Sequence, residues 1–457
     1  MKPKPKPSTQ EQPLIGWRLD MVLDPRQDIF RLASVIDWAA LEAEFGALYC
    51  ADNGRPGVPI RLMAGLHFLK HLYALSDEDV VARWVQNPYD QYFCGEEFFQ
   101  HELPIDPSQM TRWRKRIGEA GCEKLLQITI NAGKRTKTIT ERSFEKVIVD
   151  TTVQPKAVAH PTDARLYRKI HAAMIRIAKS ERLELRQSFT RTVRNAFTQH
   201  ARYAKAKQFK RARKVQKHLK TLAGRVMRDV ERKLSDEGYA KHRGTLLLSE
   251  LLLTQKRKTK GKIYSLHAPE VECIAKGKAH RPYEFGVKVS LAVTHQEGFI
   301  VGIQSCPDNP YDGHTLDGQL DQVHRLTGTI PGLTFVDKGY KGHGIPEERS
   351  RVLISGTRKL GITLKRQLRR RSAVEPEIGH MKSDGLLGRN FLKGMQGDAM
   401  NAILCGAGHN LRKILARMRA LLCLLLGDAR AALNNLIAHL ERLNAHRPAL
   451  MTARIGM

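Results

Sequence analysis

Val147-Ile148-Val149-Asp150 and Leu333-Thr334-Phe335-Val336-Asp337 are two short apolar runs that each close on an aspartate, and Arg371-Ser372-Ala373-Val374-Glu375 supplies a glutamate soon after. Apolar, β-branched runs of this length predict buried strands. A carboxylate at the end of a buried strand is costly unless a cation pairs with it. Three such carboxylates brought together would bind divalent metal ions, whose natural substrate in a very basic chain is the nucleic-acid backbone.

The spacing extends this reading. Between the two runs, Glu284 to Thr294 (EFGVKVSLAVT) and Gly298 to Ser305 (GFIVGIQS) predict a hairpin turning at His295-Gln296-Glu297. A helix from Tyr311-Asp312-Gly313-His314-Thr315 to about Leu326 precedes the second aspartate strand, and a short strand at Arg351 to Ser355 follows it. Strand-Asp, hairpin, helix, strand-Asp, strand and helix-Glu is the element order of an RNase H-like α/β core, a mixed sheet flanked by helices. Asp150 and Asp337 are 187 positions apart, whereas these elements need on the order of 80. The surplus of roughly a hundred predicts an insertion after the first strand.

That insertion, residues 161–262, carries 29 Lys and Arg against 8 Asp and Glu, the largest part of a formal net charge of +31 over 457 residues. Such an excess favours a polyanionic partner. Leu185, Phe189, Val193 and Phe197, and then Leu219, Leu222, Val226 and Val230, predict two long amphipathic helices packed on each other, their cationic outer faces laid along phosphates. Lys207, Lys210, Arg211, Arg213 and Lys214 are the candidate contacts.

Residues 14–140 predict an all-α domain. Pro59 to Ala74 shows helical spacing, Ser76-Asp77-Glu78-Asp79 opens a helix with a cap-like pattern, and Asp106-Pro107-Ser108 opens another. This last helix carries Arg112, Arg114, Lys115 and Arg116, which as the end of a helix-turn-helix would meet DNA; an ordinary bundle with a basic surface helix is the plain alternative. Trp113 fits burial better than base stacking. The Lys/Pro-rich residues 1–13 predict a disordered tail without a secretory h-region. The catalytic core is expected over 141–160 and 263–412, and C-terminal helices over 413–457 as core or dimer contact. The most apolar run, Ala420 to Leu426, is too short for a membrane span, and seven scattered cysteines without a CxxC pair suggest a reducing compartment. A cytoplasmic protein that handles nucleic acid is expected.

Asp150, Asp337 in FVDKGYKG, and Glu375 in RRRSAVEPEIGHMKSDG resemble the DDE triad of bacterial insertion-sequence transposases, specifically family five within the IS-four-like superfamily. The resemblance covers nearly the whole chain. GRPGVPIRLMAGLHFLKHLYALSDEDVVARW is similar to that group's N-terminal DNA-binding domain. HPTDARL, YAKAKQFKRARK, YSLHAPEVECIAKGKAHRPYEFGVKV, NPYDGHTL and GDAMNAILCGAGHNL are similar to its other parts. Of the superfamily's Tyr, Arg, Glu and Lys signature, Arg371, Glu375 and Lys382 are in place, whereas Leu368 stands at the tyrosine position. On one helix face the two cations would flank Glu375 and hold phosphates; a surface ion-pair ladder is the plain alternative.

The resemblance implies a bacterial, nucleoid-associated enzyme that cuts at terminal inverted repeats and joins 3′-OH ends to target DNA. Two Mg²⁺ ions, with Mn²⁺ as a substitute, would be held about 4 Å apart. Asp150 would bridge, with Asp337 completing one metal site and Glu375 the other. Water and then the freed 3′-hydroxyl would attack, without a covalent protein–DNA intermediate. Double-stranded DNA is the partner, and a homodimer or larger assembly would pair the ends. Lys338 and Lys341 are further phosphate contacts. Asp312 with His314 could stand near the site, although a helix N-cap explains Asp312 better, and Glu377 points away from Glu375. A transposase-derived repressor that no longer cuts, and an RNase H-like nuclease without strand transfer, are the competing readings.

Overall fold

The computed structural model describes residues 17–49, 57–256, 259–275 and 282–445. The Lys/Pro tail therefore lies outside the described residues. The chain forms two compact units, one of residues 1–116, 124–141 and 407–457, the other of 117–123 and 142–406.

The first unit is helical, as the apolar spacing predicts. It holds α1 (Leu19–Val22), α2 (Asp28–Val35), α3 (Trp38–Gly46), α4 (Ile60–Tyr73), α5 (Asp77–Gln86), α6 (Pro88–Phe93) and most of α7 (Ser108–Arg135). Helix α4 is buried along most of its length, through Leu62, Leu66, Phe68 and Leu69 among others, so it forms the centre of this unit's core. Helix α5 starts where the Ser76 hydroxyl accepts the Asp79 amide, with Asp77, Glu78 and Asp79 in the first turn complementing its dipole. Trp113 is buried, donating its ring N–H to the Tyr49 hydroxyl at 3.1 Å, which gives it the packing role. Gly118, at φ 63°, breaks α7.

The second unit is a mixed α/β fold. Its strands are β1 (Lys146–Pro155), β2 (Glu272–Ala275), β3 (Tyr283–Thr294), β4 (Ile300–Cys306), β5 (Leu333–Val336) and β6 (Arg351–Ile354). β1 lies between β3, antiparallel to it, and β5, parallel to it; β6 continues the sheet in parallel beyond β5. The outer edge of β3 carries β2 against Tyr283–Gly286 and β4 against Lys288–Val293. Gly286 makes the β1–β3 approach possible, because a Cβ there would come within 2.0 Å of the Gln154 carbonyl oxygen. The unit's helices are α8 (Asp163–Ser180), α9 (Thr190–Lys205), α10 (Phe209–Lys233), α11 (Asp236–Thr254), α12 (Asp312–Thr327), α13 (Ile362–Arg369), α14 (Val374–Ser383) and the start of α15 (Gly394–Ala445). Helix α12 packs on β3 and β4, and α14 on β1.

Several expectations change. β1 does not stop at Asp150 but runs on to Pro155, because residues 151–155 continue the ladder to β3. The short strand β2 joins the sheet as well. The basic insertion is four helices, α8 to α11, rather than two. Leu185 and Phe189 precede α9 instead of lying on it, and Phe189 has a left-handed φ of 52°. The second apolar stripe holds: Leu219, Leu222, Val226 and Val230 are buried on α10, in one core with Ile170, Met174 and Leu246. At the far end a single helix, α15, replaces the expected C-terminal helices. Its residues from 407 on belong to the first unit, where Leu411, Ile414 and Leu415 are buried. Among the described residues, no helix is long and apolar enough to cross a membrane.

Candidate active site

The parallel ladder of β1 and β5 ends at the Ile148–Phe335 pair; Asp150 follows two residues later on β1, and Asp337 directly follows the end of β5. The Asp150 side chain is 15% exposed, and its Oδ2 lies 3.4 Å from Arg371 Nη1. Burial, joined by the charges of Asp337 and Asp312, raises its pKa to about 6 against the opposing Arg371 guanidinium and Thr151 amide. Asp337 follows the last residue of β5 and accepts the Gly339 amide on Oδ1 at 2.7 Å, closing a short 3₁₀ turn over Lys338–Tyr340. That turn sends Tyr340 inward. Its side chain is fully buried and its hydroxyl has no hydrogen-bond partner among the described residues. Burial, and then Asp150, Asp312 and Asp337, push its ionisation well above the usual tyrosine range.

Glu375 is the second residue of α14, with a side chain 66% exposed. It reaches Asp150 through Arg371, whose Nη2 lies 3.2 Å from Glu375 Oε1. One guanidinium thus spans the carboxylates of β1 and α14. The expected single helix face over 371, 375 and 382 is corrected: α13 ends at Arg369, Arg371 sits in a 3₁₀ turn over Arg370–Ala373, and α14 begins at Val374. The joint is anchored where Arg370 donates to the His295 carbonyl at 2.8 Å and the His295 ring meets the Gln367 carbonyl at 2.9 Å. Lys382 is half-buried on α14. Glu377 is directed at the β3–β4 turn, where only a glycine at 298 leaves room for its carboxylate.

Asp312 is not an N-cap. It is the first residue of α12, and its side chain caps nothing there. Its Oδ1 instead accepts the Lys288 ammonium at 2.9 Å and the Thr151 hydroxyl at 3.1 Å. The structure thus brings Asp150, Asp312 and Asp337 into one neighbourhood and ties Glu375 to it through Arg371. Among the described residues, no three His, Cys, Asp or Glu side chains stand close enough to hold a metal in common. Beside the site, Lys365, Leu368, Arg369, Arg371 and Ser355 line a cavity of about 390 Å³, a basic recess with Leu368 in its wall. Lys288 and Tyr340 are neighbours of these carboxylates that the sequence did not reveal, whereas Asp312 reads in sequence as a site neighbour set aside for a cap. The signal for Tyr340 was its place three residues after Asp337, where one tight turn returns the chain to the carboxylate.

The other candidates divide by exposure. Lys338, Lys341, Arg112, Lys115 and Arg116 are exposed, as are Lys207, Lys210, Arg211, Arg213 and Lys214 on the insertion. Arg114 is the exception and corrects the expectation of a DNA contact. It is 2% exposed and gives both guanidinium nitrogens to Asp77, which also takes Lys70 Nζ at 2.6 Å.

Residues 18–116 match the family described as Transposase domain (DUF772). The chain carries a transposase domain, which supports a transposase role. It is also 54% identical over 209 residues to the uncharacterized protein ORF8 in the nfe locus of Rhizobium meliloti, a stretch covering 46% of this chain and 100% of that protein. The chain belongs to the same family as that protein. No solved structure matches it.

Proposed function

We propose that this chain is a DDE transposase of the insertion-sequence family-five group, cutting at the terminal inverted repeats of its element and joining the 3′-OH ends to target DNA. The observation that carries the reading is Asp150 on β1, two residues past its last pair with β5, and Asp337 just beyond the end of β5, with Arg371 linking Asp150 to Glu375. The sheet order β4–β3–β1–β5–β6, with β3 antiparallel to its neighbours, supports an RNase H-like core. The helical unit that includes 18–116 would bind element ends, and the insertion's exposed cations would follow the DNA backbone.

Divalent cations are part of this reading. Carboxylates are the hard oxygen ligands that Mg²⁺ and Mn²⁺ prefer. The Tyr340 hydroxyl, buried and without a hydrogen-bond partner among the described residues, is a polar atom that a hydrated ion or a phosphate would satisfy. Asp150, Asp337 and Glu375 would hold two ions, which when bound activate the attacking hydroxyl and neutralise charge on the phosphate. Arg371 pairs with Asp150 and Glu375 as they stand. A scissile phosphate competes for that guanidinium and so releases both carboxylates, while Lys338, Lys341, Lys365 and Arg369 hold the flanking strand. Pairing of two ends on a homodimer or larger assembly belongs to this reading, as does residence at the nucleoid.

The test is Mg²⁺-dependent cleavage and strand transfer on DNA bearing both element ends, comparing wild type with Glu375→Gln. Activity lost with DNA binding kept supports the reading. Activity retained would make Glu375 an ion-pair residue. Nicked but never joined products would indicate a nuclease, and binding by wild type without any cutting would indicate a repressor.

A further inference from the structure

Helix α11 of the insertion has two apolar faces. Leu246 and Leu252 are buried in the insertion's core. On the opposite side Ala240, Gly244, Leu247 and Leu251 follow one another at helical spacing. All four are exposed, the two leucines by 43% and 54%. Single exposed apolar residues are ordinary, but a stripe over three turns, on a helix whose other face is already packed, marks a contact surface. Gly244 points the same way. It stands in the helix interior, where glycine costs about 1 kcal/mol relative to alanine, yet a Cβ there would meet nothing within 4 Å. Its own chain gives no packing reason for the glycine, which leaves a hollow in the stripe beside two projecting leucines.

Charge narrows the choice of partner. Helix α11 carries two Lys and Arg against three Asp and Glu, whereas α10 carries ten against two. Phosphates are drawn to α10 and not to this face. Copies of a chain with a net charge of +31 repel one another through their cationic surfaces, and α11 is the helix of the insertion where they can approach.

We propose that the exposed face of α11 docks a second copy of this chain, the two α11 helices packing antiparallel about a two-fold axis. The stripe complements itself in that arrangement. Its N-terminal half is small and its C-terminal half is leucine, so Leu247 enters the hollow over the partner's Gly244 and Leu251 lies over the partner's Ala240. Both pairs share one midpoint, so a single axis serves both. A parallel pairing would set leucine against leucine and glycine against glycine. Arg243 and Glu250 are exposed, lie seven residues apart on one flank of the stripe, and make no ion pair among the described residues. Their midpoint is nearly the same, so the axis sets each opposite its counterpart on the partner. The contact runs along about 17 Å of helix. That is the small end of specific interfaces, so the free chain associates weakly and reversibly. The surface rests on the homodimer in the reading above and not on its metal chemistry.

The experiment is sedimentation velocity of the full chain without DNA, over a concentration series. Wild type is compared with Leu251→Lys, Gly244→Leu, Arg243→Glu, Glu250→Arg and the combination of the last two. Wild type is expected to pass from monomer to dimer as concentration rises. Leu251→Lys and Gly244→Leu should each weaken the dimer by about tenfold or more. Gly244→Leu replaces a helix-interior glycine at an open position, so it should keep or raise the unfolding midpoint, which separates a lost contact from a damaged fold. Arg243→Glu and Glu250→Arg change the net charge in opposite directions, yet both should weaken association, and their combination should restore it. Opposite effects of these two single changes would show net charge acting in place of a paired interface and would overturn the proposal. A wild type that stays monomeric, or variants that dimerise as it does, would overturn it as well. Either result leaves the DDE reading to its own test, Mg²⁺-dependent cleavage.

Discussion

Replacing Arg114 by alanine should destabilise the first unit and leave its DNA contacts alone. The guanidinium donates to Asp77 Oδ1 at 2.9 Å, to Asp77 Oδ2, and to the Thr111 hydroxyl at 3.0 Å, and it touches the His67 ring at 3.3 Å. Burial first, and then the Arg114 charge, lower the His67 pKa to about 3, so the ring stays neutral and cannot replace the lost cation. Truncation leaves the Asp77 carboxylate, 13% exposed, facing Lys70 alone. Breaking a buried pair from one side costs about 3–5 kcal/mol. For a unit of this size, that corresponds to a fall of about 6–20 °C in the unfolding midpoint. The assay is thermal unfolding of the full chain followed by tryptophan fluorescence, since Trp17, Trp38, Trp84 and Trp113 all lie in this unit. Arg112→Ala and Lys115→Ala, at exposed positions of the same helix, are the controls and should stay within about 0.5 kcal/mol of wild type. An Arg114→Ala protein that unfolds like wild type but binds DNA more weakly, with a salt slope shallower by about 1, would refute the reasoning and restore Arg114 to the interface.

Other consequences can be measured directly. Gly286→Ala places a Cβ against the backbone of Gln154 and Pro155, so it should cost at least about 3 kcal/mol and make the second unit sensitive to limited proteolysis; a protease-resistant variant would contradict the β1–β3 register. Converting Lys210, Arg211, Arg213 and Lys214 together to alanine should weaken binding to all DNA sequences, lowering the salt slope by up to about 0.9 for each phosphate no longer neutralised, whereas an unchanged slope removes this surface from the interface. Burial alone would raise the Asp77 pKa, but the Arg114 hydrogen bond and the Lys70 and Arg114 charges hold it well below the usual carboxylate range. A depressed folded-state pKa gives stability that is present above the unfolded value, about 4, and lost as pH falls through the folded one. Urea unfolding should therefore show stability falling in acid, with Asp77→Asn less stable near neutrality and flatter with pH.

The elements around the two strand aspartates were legible because their signals are local. Apolar, β-branched residues in Val147–Val149 and Leu333–Val336 favour strands wherever they are buried, and the hairpin, α12 and β6 announce themselves by periodicity and turn residues. The insertion was legible from charge density and chain length, since a short connection cannot use up the positions between Asp150 and Asp337. Its division into four helices was not legible. Phe189 repeats at helical spacing, yet its backbone turns left-handed before α9, and only packing against neighbouring helices selects that break.

Side-chain direction depended on partners distant in the chain. Arg112, Arg114, Lys115 and Arg116 are alike in composition, but Arg114 turns inward because Asp77 waits there, 37 residues upstream. Asp312 reads as a helix cap from its neighbours alone. It joins the acidic site because Lys288 on β3 and Thr151 on β1, 24 and 161 residues away, hold its carboxylate. Propensity and periodicity act over a few residues and are therefore written in the sequence. Pairing of buried charges is settled by which strands and helices the tertiary fold makes neighbours.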